Sequence, residues 1–591
     1  MSFPRNLIFV AVWVASITTV VSPYITLAQD LKRPPREPVD VAESTQGVVV
    51  SDTKAASEIG SSLLAKGGNA VDAAIGVAFA LEVTWPEAGN IGGGGFMLVA
   101  PPDEEVMCIN YREKAPANVD PHSFSEWTQH RHIRMAGVPG TVRGMALAHE
   151  KYGKLPWAEI IAPSIALARD GIEVDAYLAY SLNSVLTLGY IQSEPRFAEF
   201  RRVYGKPDGS LWKAGDRLVQ PDLAKSLSLI AEQGSQVFYE GEIAQQIAKE
   251  SEAGGGLMAL KDLKQYTAQV RPAMHAKIGD YTLYGAPLPS SGGTVVLMQM
   301  QMLQALDFPK DTQQYWTTKQ VHLMTEVMRR AFRERAAWLG DSDFVSVPDH
   351  LQSKAFAEKL AATIDPNQAT PSEAIAGSIA LSEGPAESME TTHFSVIDKD
   401  GMAVSNTYTL EGTFGCRIVV KGTGILLNNE MGDFNWYPGT TNRDGDIGTL
   451  PNQLAPGKRM LSSQSPMIVR EDGQVKLIVG SPGGRTIINT VTEILVQTLM
   501  LGRSLEDAID GPRFHHQWFP DTIRFETVDE GVFDNIRPEL KAMGHDAEDR
   551  TVWRQGSAHG IVVNLDTGEA KGVADWRRGG AARAPVSVTS P

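Results

Sequence analysis

The sequence predicts an α+β protein in which helices dominate the first part of the chain and strands dominate the second. Residues 140 to 260 and 310 to 365 carry apolar residues mainly at helical spacing, most clearly in "WTTKQVHLMTEVMRRAFRERAAWLGD". From about residue 391 the pattern changes to alternating segments joined by short turns, which is typical of β-hairpins. Segregation of helices and strands along a chain favours the α+β class.

The N-terminus carries the pattern of an export signal. Arg5 precedes the uncharged run "LIFVAVWVASITTVV", and Thr26 and Ala28 suit the small-residue positions of a signal-peptidase site. We therefore expect residues 1–28 to be a signal peptide and the protein to be periplasmic or extracellular. The alternative is an uncleaved membrane anchor, because the uncharged stretch is just long enough to span a bilayer. Residues 29–47, with "RPPREP", are expected to form a disordered lead-in.

Two helices are expected to follow, in "AASEIGSSLLAKGG" and "NAVDAAIGVAFALEV". The first is expected to end at Gly67 and Gly68, and the second to begin after Asn69, a candidate N-cap. The next motif, "GNIGGGGFMLVA", permits close backbone approach through its four consecutive glycines. Its spacing is not that of a dinucleotide or phosphate loop, so the run by itself indicates no function.

A polar tract without aromatic residues, "DPNQATPSEAIAGSIALSEGPAESME", occupies residues 365–390 and predicts a flexible linker. It changes abruptly at Thr391 into "TTHFSVIDKDGMAVSNTYT", which predicts a β-hairpin with its turn at residues 398–401. A strand therefore begins sharply at a threonine.

Two later segments carry groups suited to chemistry. "LIVGSPGGRTIINTVTEIL" predicts a strand that turns into a helix from about Thr486, where the backbone N–H groups of Gly483 and Gly484 could stabilise an oxyanion. On this segment alone, a plain connecting turn is the favoured interpretation. "RMLSSQSP" supplies adjacent hydroxyls at Ser462 and Ser463, which by themselves are more typical of a turn or cap.

The segment "TYTLEGTFGCRIVVKGTGILLNNEMGDFNW" combines the hydroxyl of Thr409 with the carboxylates of Glu411, Glu430 and Asp433. Carboxylates can receive an ammonium group, whereas a guanidinium such as that of Arg112 can receive a carboxylate. A site that holds both would recognise an amino acid. Each acid alone fits a solvated surface or a helix cap, so this hypothesis depends on the combination.

Composition excludes several classes of function. The formal net charge is −16 and no long run of Lys or Arg occurs, which argues against a nucleic-acid partner. Only two cysteines are present, Cys108 and Cys416, so the chain is neither a disulfide scaffold nor a metal-finger protein. Each cysteine is expected to be a small buried residue.

Taken together and in order, the motifs resemble the gamma-glutamyltransferases, also called gamma-glutamyl transpeptidases, of the N-terminal-nucleophile hydrolase superfamily. The resemblance extends from about Val48 to the C-terminus. It is carried by "NAVDAAIGVAFALEV", "GNIGGGGFML", "YREKAP", "TTHFSV", "GILLNNEMGDF", "LSSQSP", "GSPGG", "PRFHHQW" and "ADWRRGGAA".

The resemblance implies a four-layer αββα sandwich built from two subunits of one cleaved precursor. The precursor would cut itself between Glu390 and Thr391, giving a large subunit of residues 48–390 and a small subunit of residues 391–591. Cleavage has a chemical reason, because it frees an α-amino group that can act as the base for the threonine hydroxyl. No cofactor or metal is implied.

The resemblance also implies roles for the other candidates. Thr409 would orient the nucleophile Thr391, and the N–H groups of Gly483 and Gly484 would stabilise the oxyanion. The donor's α-carboxylate would be bound by Arg112, Ser462 and Ser463. Its α-ammonium would be bound by Glu411, Glu430 and Asp433. The expected donors are glutathione and other γ-glutamyl compounds, and the acceptors are water, amino acids or dipeptides.

Some residues depart from the family pattern and keep alternatives open. Three acids around one ammonium favour hydrogen bonding or partial protonation of at least one of them. Arg417 stands where relatives tend to have a small residue, and it could narrow the pocket or pair with a surplus acid. The stretch "PGTTNRDGDIGTLPNQL" has no aromatic residue to serve in a lid. A related acylase for glutaryl or β-lactam side chains and a non-catalytic binding relative are the alternative functions.

Overall fold

The computed structural model describes residues 31–120, 131–382, 391–435, 439, 441–444, 447–527, 531–549 and 554–586. The expected signal peptide and Glu390 lie outside the described residues. Within the described ranges, no helix is both long and apolar enough to cross a membrane.

The strands fall in both parts of the chain. They are β1 (Asp40–Ser44), β2 (Gly47–Ser51), β3 (Gly94–Ala100), β4 (Met107–Asn110), β5 (Ile172–Glu173), β6 (Arg217–Leu218), β7 (Gln269–Pro272), β8 (Met274–Ile278), β9 (Tyr281–Gly285), β10 (Leu381–Ser382), β11 (Thr392–Asp398), β12 (Ala403–Thr409), β13 (Thr441–Asn442), β14 (Met467–Glu471), β15 (Gln474–Gly480), β16 (Phe514–His515), β17 (Ile523–Phe525), β18 (Ala547–Asp549), β19 (His559–Asn564), β20 (Glu569–Ala574) and β21 (Ala581–Arg583).

The helices lie mainly before residue 365, as the sequence predicts. They are α1 (Lys54–Ala65), α2 (Ala70–Thr84), α3 (Thr141–Tyr152), α4 (Trp157–Asp170), α5 (Ala176–Leu186), α6 (Gly189–Ser193), α7 (Ala198–Tyr204), α8 (Pro221–Gln233), α9 (Gln236–Tyr239), α10 (Glu242–Ala253), α11 (Leu260–Gln265), α12 (Ser291–Ala305), α13 (Thr318–Trp338), α14 (Lys354–Ala361), α15 (Thr486–Leu495), α16 (Leu505–Asp510) and α17 (Arg537–Ala542). Asn69 caps α2 as predicted, because its side chain accepts from the N–H groups of Val71 and Asp72.

Two seven-stranded antiparallel sheets form the centre of the molecule. Sheet 1 has the order β21-β2-β11-β12-β3-β4-β7, and sheet 2 has the order β1-β20-β19-β15-β14-β9-β8. Apolar side chains from both sheets, such as Val48, Ile397, Ile468 and Ile561, pack together between them. Successive side chains of a strand point to opposite faces of the sheet, so each sheet also has an outer face that helices can cover.

Helical layers cover the outer faces of both sheets. Residues of α1, α2, α4 and α8 form one buried cluster with Phe394 and Val404 of sheet 1. Residues of α12, α13, α14 and α15 form another with Val469 and Val479 of sheet 2. The four-layer αββα sandwich and the α+β class are thus confirmed. Cys108 and Cys416 are buried free thiols, also as expected.

The expected disorder of residues 29–47 is wrong for the part that the structure describes. Strand β1 pairs with β20 from Asp40 opposite Ala574 to Ser44 opposite Ala570, and Arg36 forms a 2.6 Å ion pair with Asp510. Local composition is polar here because β1 is an edge strand, and edge strands commonly carry charged residues. The partner that orders this segment lies at the other end of the chain.

The flexible linker expected at residues 365–390 is also partly wrong. Residues Ser372–Ile375 form a 3₁₀ turn, and β10 pairs with β13. The hydroxyl of Ser372 is buried, accepts from Arg329 Nη1 at 2.6 Å and donates to the carbonyl of Trp518 at 2.7 Å. The polar residues of the tract therefore supply partners for a buried guanidinium as far as residue 372.

Candidate active site

The predicted nucleophile and its neighbours lie in one row across sheet 1. The register pairs Thr392 with Tyr408, and Thr409 with Gly94, so one step beyond β11 places Thr391 opposite Thr409. Mutual hydrogen bonds between Gly95 and Tyr111 extend β4 and place Arg112 opposite Gly94. The row is thus Thr391, Thr409, Gly94 and Arg112.

All four residues of this row belong to the face that lies between the sheets. Ile397 and Ala403, which have the same alternation as Thr391 and Thr409, pack in the inter-sheet core. Directly opposed residues of antiparallel strands point to the same side. Three strand spacings separate Thr391 from Arg112, about 14 Å between backbones, and Gly94 places no side chain between them.

Glycines 92 to 95 allow the backbone around this row to pack closely. A Cβ added to Gly93 would lie 2.1 Å from the carbonyl oxygen of Thr409, and one added to Gly94 would lie 2.4 Å from that of Tyr111. Such contacts are shorter than van der Waals distances, so only glycine fits. The run that indicated no function from sequence thus shapes the floor of the site.

Arg112 forms a buried charge cluster at one end of the row. Its Nη1 lies 2.6 Å from Glu430 Oε2 and 3.5 Å from Glu113 Oε2, and its Nη2 forms an ion pair with Asp433. The side chains of Arg112, Glu113 and Glu430 are fully buried, whereas that of Asp433 is 25% exposed. Three carboxylates therefore surround one guanidinium.

Burial and mutual repulsion shift the titration of this cluster. Burial raises the pKa of Glu430 well above its ordinary value, Arg112 opposes this, and Glu113, Asp433 and Glu411 raise it further. The pKa of Glu113 rises to about 7, chiefly through burial. Burial disfavours the charged Arg112, but the carboxylates outweigh it and raise its pKa. The surplus of acids therefore favours a proton or another cation beside Glu430.

Thr409 and Glu411 are held together by the turn after β12. The N–H of Glu411 donates to Thr409 Oγ1 at 2.9 Å, and the side-chain amide of Asn429 donates to Glu411 Oε2. Glu411 has a φ of 76°, in the left-handed region that non-glycine residues seldom adopt. This conformation turns Glu411 back toward Asn429. Its carboxylate influences the pKa of Glu430.

The glycine turn after β15 has the expected geometry. Gly483 and Gly484 have φ values of 129° and 57°, and α15 begins at Thr486. Thr486 Oγ1 donates to the carbonyl of Gly483 at 2.8 Å, which fixes the turn, and a Cβ on Gly483 would lie 2.6 Å from this hydroxyl. The backbone N–H groups therefore lie at the positive end of a helix dipole.

Ser462 and Ser463 lie in the chain segment that passes Arg112. Arg112 Nε donates to the carbonyl of Met460 at 3.5 Å. The hydroxyl of Ser462 accepts from the N–H of Gln464 at 3.1 Å, and that of Ser463 accepts from Arg335 Nη2 at 3.0 Å. The structure thus joins Arg112, Glu430 and Asp433 by direct contact and brings the serines near through Met460.

Sequence reasoning did not single out three groups. Glu113 follows Arg112 in "YREKAP", and Asn429 precedes Glu430, so adjacency to a candidate was the available signal. The third is a buried network beside the nucleophile: Thr392 Oγ1 donates to Asp52 Oδ2, and Asp52 Oδ1 lies 3.0 Å from His559 Nε2. No sequence pattern connects these positions, because they come from β11, the end of β2 and β19.

Arg417 does not pair with a surplus acid among the described residues. Its φ is 63°, its Nη1 donates to the hydroxyl of Tyr190, and its Nε donates to the carbonyl of Thr413 at 3.4 Å. Burial and the nearby Arg131 lower the pKa of Arg417 to about 10. The side chain therefore links the turn after β12 to α6.

Two stacked antiparallel sheets enclosed by helical layers, with Thr391 directly before the inner strand β11, define the N-terminal-nucleophile hydrolase fold. Comparison with known proteins makes the assignment narrower. The gamma-glutamyltranspeptidase family model matches residues 56–584, and the chain therefore belongs to the gamma-glutamyltranspeptidase family. Precursors in this family give a large and a small subunit.

Individual relatives agree with the family. The chain is 41% identical over 544 residues to the glutathione hydrolase proenzyme of Escherichia coli strain K12, with 90% of each chain covered. Gamma-glutamyltranspeptidase of Helicobacter pylori has a TM-score of 0.52 at 34% identity over 56% of this chain and 96% of that chain. Cephalosporin acylase from Bacillus halodurans has a TM-score of 0.80 at 25% identity, over 94% and 98% of the two chains. The protein is thus an enzyme of the glutathione hydrolase and gamma-glutamyltranspeptidase type.

Proposed function

We propose that the chain is an exported gamma-glutamyltransferase that cuts itself between Glu390 and Thr391 and then uses Thr391 as its nucleophile. The observation that carries this proposal is the row in sheet 1, with a threonine hydroxyl at one end and an ion cluster at the other. Thr391 is only 4% exposed, so the released amino group would lie in a protected site. A free α-amino group has a pKa of about 7.7–8.0 in model systems, which suits a general base near neutral pH.

The charge cluster is suited to the α-amino and α-carboxylate groups of a γ-glutamyl donor. The ammonium would join Glu430 and Asp433, with Glu411 adding negative potential, and the carboxylate would take Arg112 together with Ser462 and Ser463. Glu430 Oε1 is buried and has no hydrogen-bond partner in the described part of the chain. An arriving ammonium would satisfy this oxygen and favour the ionised form of Glu430.

The reaction is a double displacement. The hydroxyl of Thr391, oriented by Thr409, loses its proton to the amino group of Thr391 and attacks the γ-amide carbonyl. The N–H groups of Gly483 and Gly484 stabilise the tetrahedral oxyanion. The amide C–N bond breaks, the leaving amine takes the proton, and a γ-glutamyl ester remains on Thr391. Water then gives glutamate, or the amine of an amino acid or dipeptide gives a new γ-glutamyl amide.

Glutathione is the donor that we propose first, with other γ-glutamyl amides as further donors. The related acylase activity is the second candidate, favoured by the overall similarity to cephalosporin acylase. The cluster of Arg112, Glu430 and Asp433 favours the first candidate, because a glutaryl group has no ammonium for these acids. A non-catalytic relative would have no need of the catalytic set Thr391, Thr409, Gly483 and Gly484.

The decisive experiment is the intact mass of denatured wild-type protein beside Thr391→Ala. We expect two polypeptides from the wild type, the smaller beginning at Thr391, and one from the variant. Thr392→Ser keeps the neighbouring hydroxyl and controls for a change at the start of β11, so it should still be cleaved. An uncut wild-type chain would lack the proposed base, and this result would overturn the mechanism. If the wild type is cut, release of glutamate from glutathione tests the donor.

A further inference from the structure

Strand β11 is paired on only one side where it begins. Its ladder with β12 starts at Thr392, opposite Tyr408, whereas its ladder with β2 starts only at Ser395, opposite Val50. In the described part of the chain, the first residues of β11 therefore have no ladder partner on the β2 side. Chain ends are poorly ordered unless they are tied down, and after the proposed cleavage this end carries the nucleophile Thr391.

A side chain that follows β2 connects the two strands where the ladder is missing. Asp52 comes directly after the last residue of β2, and its Oδ2 accepts a hydrogen bond from the Thr392 hydroxyl. Asp52 is 1% exposed and Thr392 is 0% exposed, so bulk water does not compete for this bond. A hydrogen bond in such a dry interior is stronger than the same bond in water. The contact of Asp52 with Thr392 thus ties the start of β11 to the end of β2.

The second sheet fixes the orientation of the Asp52 carboxylate. Its Oδ1 lies 3.0 Å from Nε2 of His559, the first residue of β19, and both side chains are fully buried. The imidazole packs closely against Gly580, where an added Cβ would lie 2.4 Å from the ring carbon Cε1. This packing restricts the ring, and the ring in turn restricts the carboxylate. One oxygen of Asp52 is therefore held by sheet 2, and the other holds Thr392.

The position of Thr392 determines the position of Thr391. The peptide unit that joins the two threonines is planar, so a fixed Thr392 directs the Cα of Thr391 and with it the hydroxyl and the amino group. Arg578 Nη1 also donates to the carbonyl oxygen of Thr391, but at 3.5 Å this is a long contact. The short, buried bond to Asp52 is the firmer of these two restraints.

We propose that Asp52 is a positioning residue, which holds the Thr392 hydroxyl and thereby keeps the hydroxyl and amino group of Thr391 in place for attack. The inference rests on the proposed gamma-glutamyltransferase function. Asp52 acts through Thr392 and is assigned no contact with the substrate. After the proposed cleavage, Asp52 belongs to the large subunit and Thr392 to the small one. The large subunit would then orient the nucleophile that the small subunit carries.

The test removes the Thr392 hydroxyl and keeps the branched shape of the side chain. For cut Thr392→Val we expect kcat with glutathione to fall about 10-fold, because a small misplacement of reacting groups slows the chemical step. Free glutamate is the probe for donor binding, since it can occupy the cluster around Arg112 without reacting. Its inhibition constant should stay within about twofold of the wild-type value, which separates slower chemistry from damage to the donor site.

Three further variants complete the design. Thr392→Ser keeps the hydroxyl and should retain most of the wild-type kcat. Asp398→Asn changes a buried carboxylate at the other end of β11, where it accepts from the N–H of Ala70 at 2.9 Å, and it should leave kcat unchanged. The double variant Asp52→Ala/Thr392→Val should be no slower than the slower single variant, because both changes remove the same hydrogen bond.

The outcomes separate this inference from the function on which it rests. A wild-type kcat in Thr392→Val, an equal weakening of glutamate binding, or independent losses that multiply in the double variant would overturn the role of Asp52 while the transferase stands. Self-cleavage uses the same hydroxyl, so intact mass over time should show slower cutting of Thr392→Val than of Thr392→Ser, and equal rates would also overturn it. If the wild type is neither cut nor able to release glutamate, the proposed function fails, and the positioning role fails with it.

Discussion

Two charged regions beside the proposed nucleophile, one around Arg112 and one around Arg554, differ in how their guanidinium charges are compensated. The Arg112 guanidinium is fully buried and forms ion pairs with the three carboxylates of Glu113, Glu430 and Asp433. The Arg554 guanidinium instead donates to two backbone carbonyls and lies beside the Trp576 ring, and its side chain is only partly buried. Buried paired charges penalise any ligand that leaves one unmatched, whereas an exposed cation loses little with a neutral ligand. Under the proposed function, we expect the first arrangement to select strictly for a γ-glutamyl group and the second to bind its ligands less selectively.

The largest expected effect tests how selectively the buried cluster around Arg112 binds its ligand. Arg112→Lys should lower kcat/KM for all γ-glutamyl donors about 10- to 100-fold, because a single ammonium nitrogen cannot reach Glu430 and Asp433 as two guanidinium nitrogens do. Steady-state kinetics with cleaved enzyme measure the loss. Arg470→Lys, at an arginine whose guanidinium donates to the carbonyls of Glu104 and Pro101, controls for the chemical change. A donor KM and kcat equal to those of wild type would remove Arg112 from substrate binding.

A smaller expected effect concerns the dependence of folding stability on pH. The folded-state pKa of Glu113 is raised from 4.5 to about 7, so between these values the folded protein keeps a proton that the unfolded chain releases. This group therefore makes stability fall as pH rises from about 4.5 to 7. Glu113→Gln should flatten that part of a Tm-against-pH curve, whereas Glu58→Gln, at an exposed position of α1, should not. Parallel curves for wild type and Glu113→Gln would contradict the assigned shift.

The sequence predicted the parts of the site that depend on local chemistry. An abrupt strand start at Thr391 and a glycine turn before α15 are visible because hairpin turns and helix starts have short-range signals. The contact of Arg112 with Asp433 joins residues 321 positions apart, and no local rule reports it. The sequence offered the acids and Arg112 as a combined site, and the resemblance to a family gave the reason to expect them together.

Errors in the expected fold have the same origin. Residues 40–44 looked disordered because their order comes from pairing with β20, and residues 372–375 looked loose because their partners are Arg329 and Trp518. The αββα layering likewise depends on which faces of two sheets meet, and helical or alternating periodicity is compatible with many such arrangements. Tertiary pairing supplied what local patterns could not.

The order of strands in the two sheets has a consequence for whether the two polypeptides of the proposed cleavage can separate. In sheet 1, β11 lies between β2 and β12, and β2 in turn lies between β11 and β21, while in sheet 2 β14 pairs with β9 and β20 with β1. With the proposed cleavage before Thr391, the two polypeptides would share both sheets, so neither would keep a complete sheet if the other left. Dilution should not separate them, and two isotopically labelled batches of cut enzyme should not exchange pieces. We therefore expect each large subunit to stay with the small subunit from the same precursor.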